Sequence, residues 1–214
     1  MSKKILLIGG GGHCCSVLDS LFSCGDYEQI GVIEQNNKNK ESIMGVPIIG
    51  TDEDLFLLYK RGWQNAFITL GSVGDSTVRR KIYNTLREIG YRIPVIADST
   101  AIVGKNVQVG EGVFIGKRAV VNAGVCIKHC AIINSGAIVE HDCMIGSFSH
   151  ISSGAVVCGQ VKVGDDSHIG AASVIKQSIY IGNNALIGAG SVVVKDLPDA
   201  VLAYGNPCEV RKEK

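Results

Sequence analysis

Residues 3–93 alternate between segments with the apolar pattern of strands and segments with that of helices. We predict strands at Lys4–Ile8, Ile30–Glu34 and Ala66–Leu70, and helices at His13–Ser23, Asp52–Arg61 and Gly74–Ile89. Strands that alternate with helices through short glycine turns are typical of a small parallel sheet flanked by helices. The segment Arg92–Ser99 is predicted to be a strand that leads into a different second half.

From Ala101 to Asp196 the apolar positions repeat every six residues, through sixteen hexads without an insertion. The third place of every hexad is Val or Ile, and the first is Ala, Val, Ser or Cys in fifteen of them. An even period is compatible with strand alternation, and β-branched residues suit a buried strand. The fourth place is most often Gly, which we assign to turns with unusual backbone angles. This region is therefore predicted to stack coil on coil as a solenoid.

Composition indicates a globular protein, since 46% of the 214 residues are hydrophobic and 19% are charged. The net charge is +1 with scattered Lys and Arg, so no nucleic-acid or membrane-surface partner is expected. No segment approaches the roughly 20 apolar residues that span a bilayer. The apolar run Ile5–Ile8 is too short for a signal peptide, so we expect a cytoplasmic protein with eight reduced cysteines.

One corner of the repeat carries three consecutive ionisable residues, Glu140, His141 and Asp142, at places four to six. These places face outward, where a solvated turn is the simplest interpretation. However, a histidine with the usual pKa of about 6.5 is a suitable general base, and an adjacent carboxylate fixes its tautomer. A second outward-facing imidazole, His150, follows nine residues later. The corner is therefore a candidate for acid–base chemistry.

A glycine run, Gly9–Gly12, followed by His13, connects the first predicted strand to the first helix. Backbone N–H groups at such a turn cradle phosphates with the help of the helix dipole. Glu34 ends the next predicted strand, where an acid can accept hydrogen bonds from a sugar or a base. The pattern is an incomplete dinucleotide fingerprint, with Cys15 where a third small residue is expected. The alternative is that the glycines only tighten a strand–helix turn.

The hexads resemble the left-handed parallel β-helix of the hexapeptide-repeat acyltransferases, in which three hexads form a triangular coil and residues 18 apart stack. The whole chain resembles the bacterial sugar O- and N-acetyltransferases of that family through "ILLIGGGGH", "INSGAIVEHDCMIGSFSHIS" and the C-terminal "GNP". That branch includes sialic acid O-acetyltransferases and N-acetyltransferases of nucleotide-linked 4-amino sugars. The resemblance implies a Rossmann-like α/β domain over residues 1–98, followed by a left-handed β-helix over residues 99–214.

The resemblance also implies roles for particular residues. His141 matches the catalytic base, Asp142 the acid that supports it, and Asn134 a further active-site residue. The match implies acetyl-CoA contacts at His150, whose N–H could polarise the thioester carbonyl, and at the backbone of Ala171 and Ala189. In the N-terminal domain the nucleotide part of a sugar substrate is expected at Gly11, Gly12, His13 and Glu34, with His13 near the diphosphate.

The leading functional interpretation is a homotrimeric acetyl-CoA-dependent enzyme that acetylates the amine of a nucleotide-linked 4-amino-4,6-dideoxy sugar. Direct transfer is expected because Cys143, at the first place of its hexad, should point inward. The alternatives are O-acetylation of a sialic-acid-type sugar and a non-catalytic trimeric scaffold. A γ-class carbonic anhydrase is disfavoured because His129, His141 and His150 lack the required spacing, and no metal site is predicted.

Overall fold

The computed structural model describes residues 3–35 and 41–213, and the chain divides into two compact units. The first, here called the N-terminal domain, comprises Met1–Gly71 and Thr77–Ile96. The second, the β-helix, comprises Ser72–Ser76 and Ala97–Lys214. The short segment Ser72–Ser76 thus belongs to the β-helix, although it interrupts the sequence of the N-terminal domain.

The N-terminal domain contains a five-stranded sheet with the strand order β3-β4-β2-β1-β5. Its strands are β1 Lys4–Ile8, β2 Gln29–Ile33, β3 Ser42–Ile43, β4 Val46–Gly50 and β5 Asn65–Ile68. Its helices are α1 Gly12–Cys24, the 3₁₀ helix Asp52–Asp54, α2 Leu55–Lys60 and α3 Thr77–Ile89. All sheet pairs are parallel except β3–β4. The last four residues of β1, Ile5–Ile8, are all apolar and buried, as expected for a strand that is covered on both faces.

The three strands and three helices predicted in this domain are all present, with ends shifted by at most three residues. The predicted helix from Gly74 begins only at Thr77, because Gly74 has a φ of 70° and belongs to the segment Ser72–Ser76 of the other unit. The hairpin β3–β4 was not predicted. Its two-residue turn, Met44-Gly45, has φ angles of 49° and 82°, and Met lacks the turn signal that Asn or Asp gives.

The β-helix contains one two-residue strand in each of the sixteen hexads, and strands 18 residues apart pair in parallel. We call its three sides face 1, face 2 and face 3, in chain order. Face 1 consists of β7 Ile102–Val103, β10 Val120–Val121, β13 Ile138–Val139, β16 Val156–Val157, β19 Val174–Ile175 and β22 Val192–Val193. Face 2 consists of β8 Gln108–Val109, β11 Cys126–Ile127, β14 Met144–Ile145, β17 Lys162–Val163 and β20 Tyr180–Ile181.

Face 3 carries the strands of the remaining hexads and the C-terminal hairpin. Its repeat strands are β9 Phe114–Ile115, β12 Ile132–Ile133, β15 His150–Ile151, β18 His168–Ile169 and β21 Leu186–Ile187. The chain enters through β6 Ile96–Ala97 and ends with the hairpin β23 Val201–Gly205 and β24 Cys208–Glu213. The predicted α/β domain followed by a left-handed β-helix is therefore confirmed. No helix within residues 3–35 and 41–213 is long and apolar enough to cross a membrane.

The third place of the hexad lines the core of the β-helix, as predicted: Val139, Ile145 and Ile151 are fully buried. The reason predicted for glycine at the fourth place was wrong. Positive φ angles occur at the sixth place instead, as at Asn106 (60°). At the fourth place, a Cβ added to Gly104 would lie 2.8 Å from the backbone nitrogen of Ala123 in the next coil. Glycine is therefore required there by the close approach of two coils.

Candidate active site

His141 and Asp142 lie at the corner between faces 1 and 2, which we call corner 1–2, directly after β13. His141 Nδ1 is 2.9 Å from Asp142 Oδ2, and the two side chains are 51% and 61% exposed. A carboxylate only accepts hydrogen bonds, so we assign the proton to Nδ1 and the lone pair to Nε2. A partly solvated imidazole with a lone pair on Nε2 and a carboxylate behind it is suited to accept a proton.

Glu140, the third ionisable residue of this corner, is bound within the β-helix. Its carboxylate accepts a hydrogen bond of 2.8 Å from Asn122 Nδ2, which lies 18 residues earlier. Glu140 therefore links two coils at the fourth place of the hexad. The other two ionisable side chains of the corner, His141 and Asp142, are paired with each other.

Asn134 and His150 contact each other at a different corner, between faces 3 and 1, which we call corner 3–1. Asn134 follows β12 directly, and its Nδ2 is 3.1 Å from His150 Nε2. Asn134 Oδ1 accepts the backbone N–H of Ser135 at 2.8 Å, so Nδ2 is the amide atom that donates to the ring. His150 Nδ1 lies 3.2 Å from the carbonyl oxygen of Ser72, which can only accept. His150 is therefore assigned as the neutral Nδ1–H tautomer.

These bonds change the role expected for His150. Both ring nitrogens are engaged within the β-helix, so the ring does not offer an N–H to polarise a thioester carbonyl in this arrangement. His168 stacks on His150 in the register that the 18-residue period predicts, with ring centroids 4.8 Å apart and edge to face. His168 is 8% exposed, and its Nε2 is 3.1 Å from Ser152 Oγ. The geometry thus supports His150 as a residue that orients the amide of Asn134.

The structure does not bring Asn134 and His141 together within one protomer, although only seven residues separate them in sequence. Asn134 precedes β13 and His141 follows it, so the whole of one side of the triangular coil lies between them. Within one protomer the two side chains therefore lie at different corners of the triangular coil.

Ala171 and Ala189 lie at corner 3–1 after β18 and β21, at the fifth place of the hexad and therefore in the column next to that of Asn134. Both alanines are exposed, and Gly190 donates its N–H to the carbonyl oxygen of Ala171 at 2.8 Å. A Cβ on Gly170 would lie 2.5 Å from the nitrogen of Ala189, so these coils approach closely. The column presents small side chains and backbone, which a narrow pantetheine chain could approach.

The glycine loop of the N-terminal domain leads from β1 into α1. Gly9 has a φ of 106°, and Gly10 donates its N–H to Glu34 Oε2 at 2.6 Å. Gly11 and Gly12 are exposed, and among the described residues a Cβ at either position would meet no atom within 4 Å. Packing against residues 3–35 and 41–213 therefore does not require glycine at these two positions. The predicted acid, Glu34, fastens the loop through one of its oxygens.

His13 follows the loop in α1, and burial together with the positive charge of Arg79 lowers its pKa to about 4. Its imidazole is therefore neutral at neutral pH. Arg79, in α3, is 2% exposed. The burial of Arg79 could not be predicted from its sequence position, because an arginine in an amphipathic helix is usually a surface residue.

A cavity of about 510 Å³ opens at the carboxyl ends of β1 and β2, where α/β domains commonly bind ligands. Its lining includes Gly9, Glu34, Asp52, Leu70 and Lys81. Gln35 Nε2 donates to Asp52 Oδ2 at 2.6 Å, and burial raises the pKa of the Asp52 carboxyl. Glu34 could be identified as a candidate from its place at the end of a strand, whereas Asp52 and Lys81 could not, because elements later in the chain bring them to the same edge.

Cys143 is the cysteine nearest to His141 in sequence, and it points inward as predicted. It is fully buried, its Sγ lies 3.0 Å from the carbonyl oxygen of Cys158, and burial raises its pKa to about 11. Such a thiol does not supply a nucleophilic thiolate at neutral pH. Within the described parts of the chain, no group of His, Cys, Asp or Glu side chains could hold a metal ion.

Comparison with known proteins supports this reading of the fold. The PglD N-terminal domain family matches residues 4–86, the bacterial transferase hexapeptide family matches residues 160–195, and the hexapeptide repeat of succinyl-transferase matches residues 101–129. A comparison with curated protein sequences gave no match.

Solved structures match over almost the whole chain. PerB from Caulobacter crescentus, solved with CoA and GDP-perosamine, is 34% identical over 98% of this chain and 97% of its own, with a TM-score of 0.91. The acetyltransferase domain of PglB from Neisseria gonorrhoeae is 31% identical over 98% of this chain and 100% of its own, with a TM-score of 0.92. That domain has also been solved with acetyl coenzyme A. The chain therefore belongs to the PglD-type family of hexapeptide-repeat, acetyl-CoA-dependent sugar N-acetyltransferases.

Proposed function

We propose that the protein transfers the acetyl group of acetyl-CoA to the amine of a nucleotide-linked amino sugar. The observation that carries this proposal is the His141–Asp142 pair at 2.9 Å, with the lone pair of the imidazole on Nε2. The sugar amine attacks the thioester carbonyl, and Nε2 accepts the proton that the amine loses. The tetrahedral intermediate then collapses, the C–S bond breaks, and the imidazolium returns a proton to the departing CoA thiolate.

The neighbouring side chains support this proton transfer. Asp142 accepts the Nδ1–H bond and stabilises the imidazolium that forms. Asn134 uses one amide hydrogen for His150, and its second amide hydrogen is proposed to contact the oxyanion of the tetrahedral intermediate. In this proposal Ala171 and Ala189 line the path of the pantetheine arm, and His150 contacts the coenzyme while it fixes the amide of Asn134.

The outer surface of face 1 is the basis for proposing a homotrimer. Its outward residues, at the second place of each hexad, are all β-branched and apolar: Ile102, Val120, Ile138, Val156, Val174 and Val192. The corresponding residues of face 2 are Gln108, Cys126, Met144, Lys162 and Tyr180. A continuous apolar face on a regular prism favours burial against copies of itself, and rotational symmetry closes such an assembly.

A threefold axis in front of face 1 would also explain the separation of the site residues. Face 1 is bounded by corner 3–1 on one side and corner 1–2 on the other. Three such faces around an axis place corner 1–2 of one protomer beside corner 3–1 of the next. We propose that each active site contains His141 and Asp142 from one protomer, and Asn134, His150, Ala171 and Ala189 from its neighbour.

The N-terminal domain is proposed to bind the nucleotide. Gly11 and Gly12 offer exposed backbone at the start of α1, where a diphosphate is favoured. His13, the next residue of α1, is proposed to lie near that diphosphate, and Glu34 lines the 510 Å³ cavity. A free sialic-acid-type sugar has no nucleotide, so the alternative substrate would not occupy this cavity.

The location proposed for the enzyme is the cytoplasm. All eight cysteines are free thiols, including the partly accessible Cys15, Cys24 and Cys126. Free thiols of this kind persist in a reducing compartment.

A substrate screen tests the proposal. Purified protein is mixed with acetyl-CoA and, in turn, with GDP-perosamine, a UDP-linked 4-amino-4,6-dideoxy sugar and free N-acetylneuraminic acid. Release of the CoA thiol and the mass of the product are measured. We expect turnover with a nucleotide-linked amino sugar and none with the free acid. Turnover with the free acid alone would identify an O-acetyltransferase, and CoA binding without any turnover would identify a scaffold.

Replacing Gly12 with valine should raise the KM for the sugar nucleotide, because the branched side chain fills the space in which a phosphate approaches the backbone. The KM for acetyl-CoA should stay near the wild-type value. A raised KM would not result from misfolding, because a side chain at residue 12 has open space around it among the described residues. The smaller side chain of Gly12→Ala should raise the KM less. Steady-state kinetics with each substrate varied gives both constants. If both remain unchanged in Gly12→Val, the loop is only a turn.

A further inference from the structure

We propose that Gly159 is a positioning residue, which allows the His141 imidazole to occupy its catalytic position. The inference rests on the proposed role of His141 as the base. Gly159 lies 18 residues after His141, at the same place of the hexad in the next coil. The two coils are joined beside it, since Gln160 donates its N–H to the carbonyl oxygen of His141 at 2.9 Å.

The repeat shows that Gly159 is exceptional for its place. The fifth place of the hexad faces outward and carries a side chain in fifteen of the sixteen hexads, where Lys, Glu, Ala, His, Ser, Asp, Gln and Asn all occur. Gly159 is the single glycine at this place. The exception occurs in the coil directly next to His141. The fold itself therefore does not require glycine at the fifth place.

The atoms around Gly159 give the reason for the exception. A Cβ at this residue would lie 2.6 Å from His141 Nε2, 2.7 Å from Cε1 and 3.1 Å from Cδ2. Carbon contacts under 3.0 Å essentially do not occur, so a side chain at residue 159 would displace the ring. The backbone of Gly159 does not lie in the left-handed region, so alanine is compatible with its conformation. The space taken by the imidazole is thus the feature that demands glycine.

A second glycine acts on the partner of His141 from the opposite side. Gly124 lies 18 residues before Asp142, in the preceding coil, and a Cβ there would be 2.6 Å from Asp142 Oδ1. The His141–Asp142 pair is therefore held between two coils that each lack a side chain at the point of contact. Gly124 has a φ of 73°, so substitution there would also strain the backbone. Gly159 gives the cleaner test.

The kinetic test is a double-mutant cycle between Gly159→Ala and His141→Ala. Misplacing a reacting group by about 1 Å can lower a rate by up to about 10²-fold. In the wild-type background we expect Gly159→Ala to lower kcat roughly ten- to a hundredfold, with the KM for acetyl-CoA unchanged. In the His141→Ala background the same methyl group should cause no further loss. A kcat within about twofold of wild type, or an equal loss in both backgrounds, would overturn the proposal.

The same cycle measured as melting temperature does not depend on activity. The methyl group of Gly159→Ala should lower the melting temperature while the imidazole is present, and should lower it less, or not at all, in the His141→Ala background. This result would support the role of Gly159 even if no sugar substrate is turned over. Failure of this proposal can therefore be distinguished from failure of the proposed function. An equal lowering in both backgrounds, or failure to fold in both, would show that Gly159 acts independently of His141 and would overturn it.

Discussion

His141→Ala is expected to lower kcat by roughly 10²- to 10⁴-fold, the usual contribution of a general base. The side chain is about half exposed at a corner, so its removal should leave the oligomer and the melting temperature near wild type. The KM for acetyl-CoA should change little, because Ala171 and Ala189 lie at corner 3–1. Steady-state kinetics and a thermal melt of the same preparation measure all three quantities.

Two further variants define this result. Asp142→Ala should lower kcat less than His141→Ala, because Asp142 supports the base and does not itself take the proton of the substrate. The matched control is His129→Ala, which removes an exposed histidine from the same place of the hexad at another corner. It should leave kcat within about twofold of wild type. Near-wild-type turnover in His141→Ala would show that corner 1–2 is only a solvated turn.

Val156→Asp is expected to dissociate the proposed trimer and to reduce turnover by more than about 100-fold. Val156 lies near the middle of face 1, and in the trimer its side chain would be enclosed by its symmetry mates. A carboxylate buried there without a partner opposes association, because ionised groups are costly to desolvate. Loss of the trimer would separate corner 1–2 of one protomer from corner 3–1 of the next, so each proposed site would be incomplete. Light scattering gives the mass, and CoA release gives the rate.

Met144→Asp is the matched control for Val156→Asp. Met144 occupies the same place of its hexad, at the middle of face 2, and is 41% exposed. It should remain trimeric and active, because face 2 is not the proposed interface. A Val156→Asp protein that remains a fully active trimer would contradict the assignment of face 1 to the threefold axis.

The β-helix could be predicted from the sequence almost completely, because its period fixes the register. The pairing of His150 with His168 followed directly from the 18-residue spacing. The reason for glycine at the fourth place of the hexad was predicted wrongly, because glycine has two different structural roles in this repeat. At Gly104 it permits the close approach of two coils, and at Gly124 it permits a positive φ angle. Sequence alone does not distinguish a lack of side-chain space from an unusual backbone angle.

Contacts of the candidate site between residues close in sequence could be predicted, whereas contacts between residues far apart in sequence could not. His141 and Asp142 are adjacent at one corner, so their contact follows from the repeat. The neutral tautomer of His150 depends on the carbonyl of Ser72, which lies 78 residues earlier. Similarly, Lys81 reaches the 510 Å³ cavity from α3, far along the chain from Glu34. Neither placement has a signal in the local pattern of residues.

Mixed trimers test most directly whether each site is shared between two protomers. Asn134→Ala removes a proposed oxyanion donor, a loss usually worth about 10²- to 10³-fold, and His141→Ala removes the base. Each homotrimer should therefore be deeply impaired. When the two variants are co-expressed in equal amounts, every mixed trimer contains one interface with both residues intact, so random assembly should restore about one quarter of the wild-type rate. A rate no higher than that of the two separate variants would show that the residues act within one protomer, and would contradict the shared site.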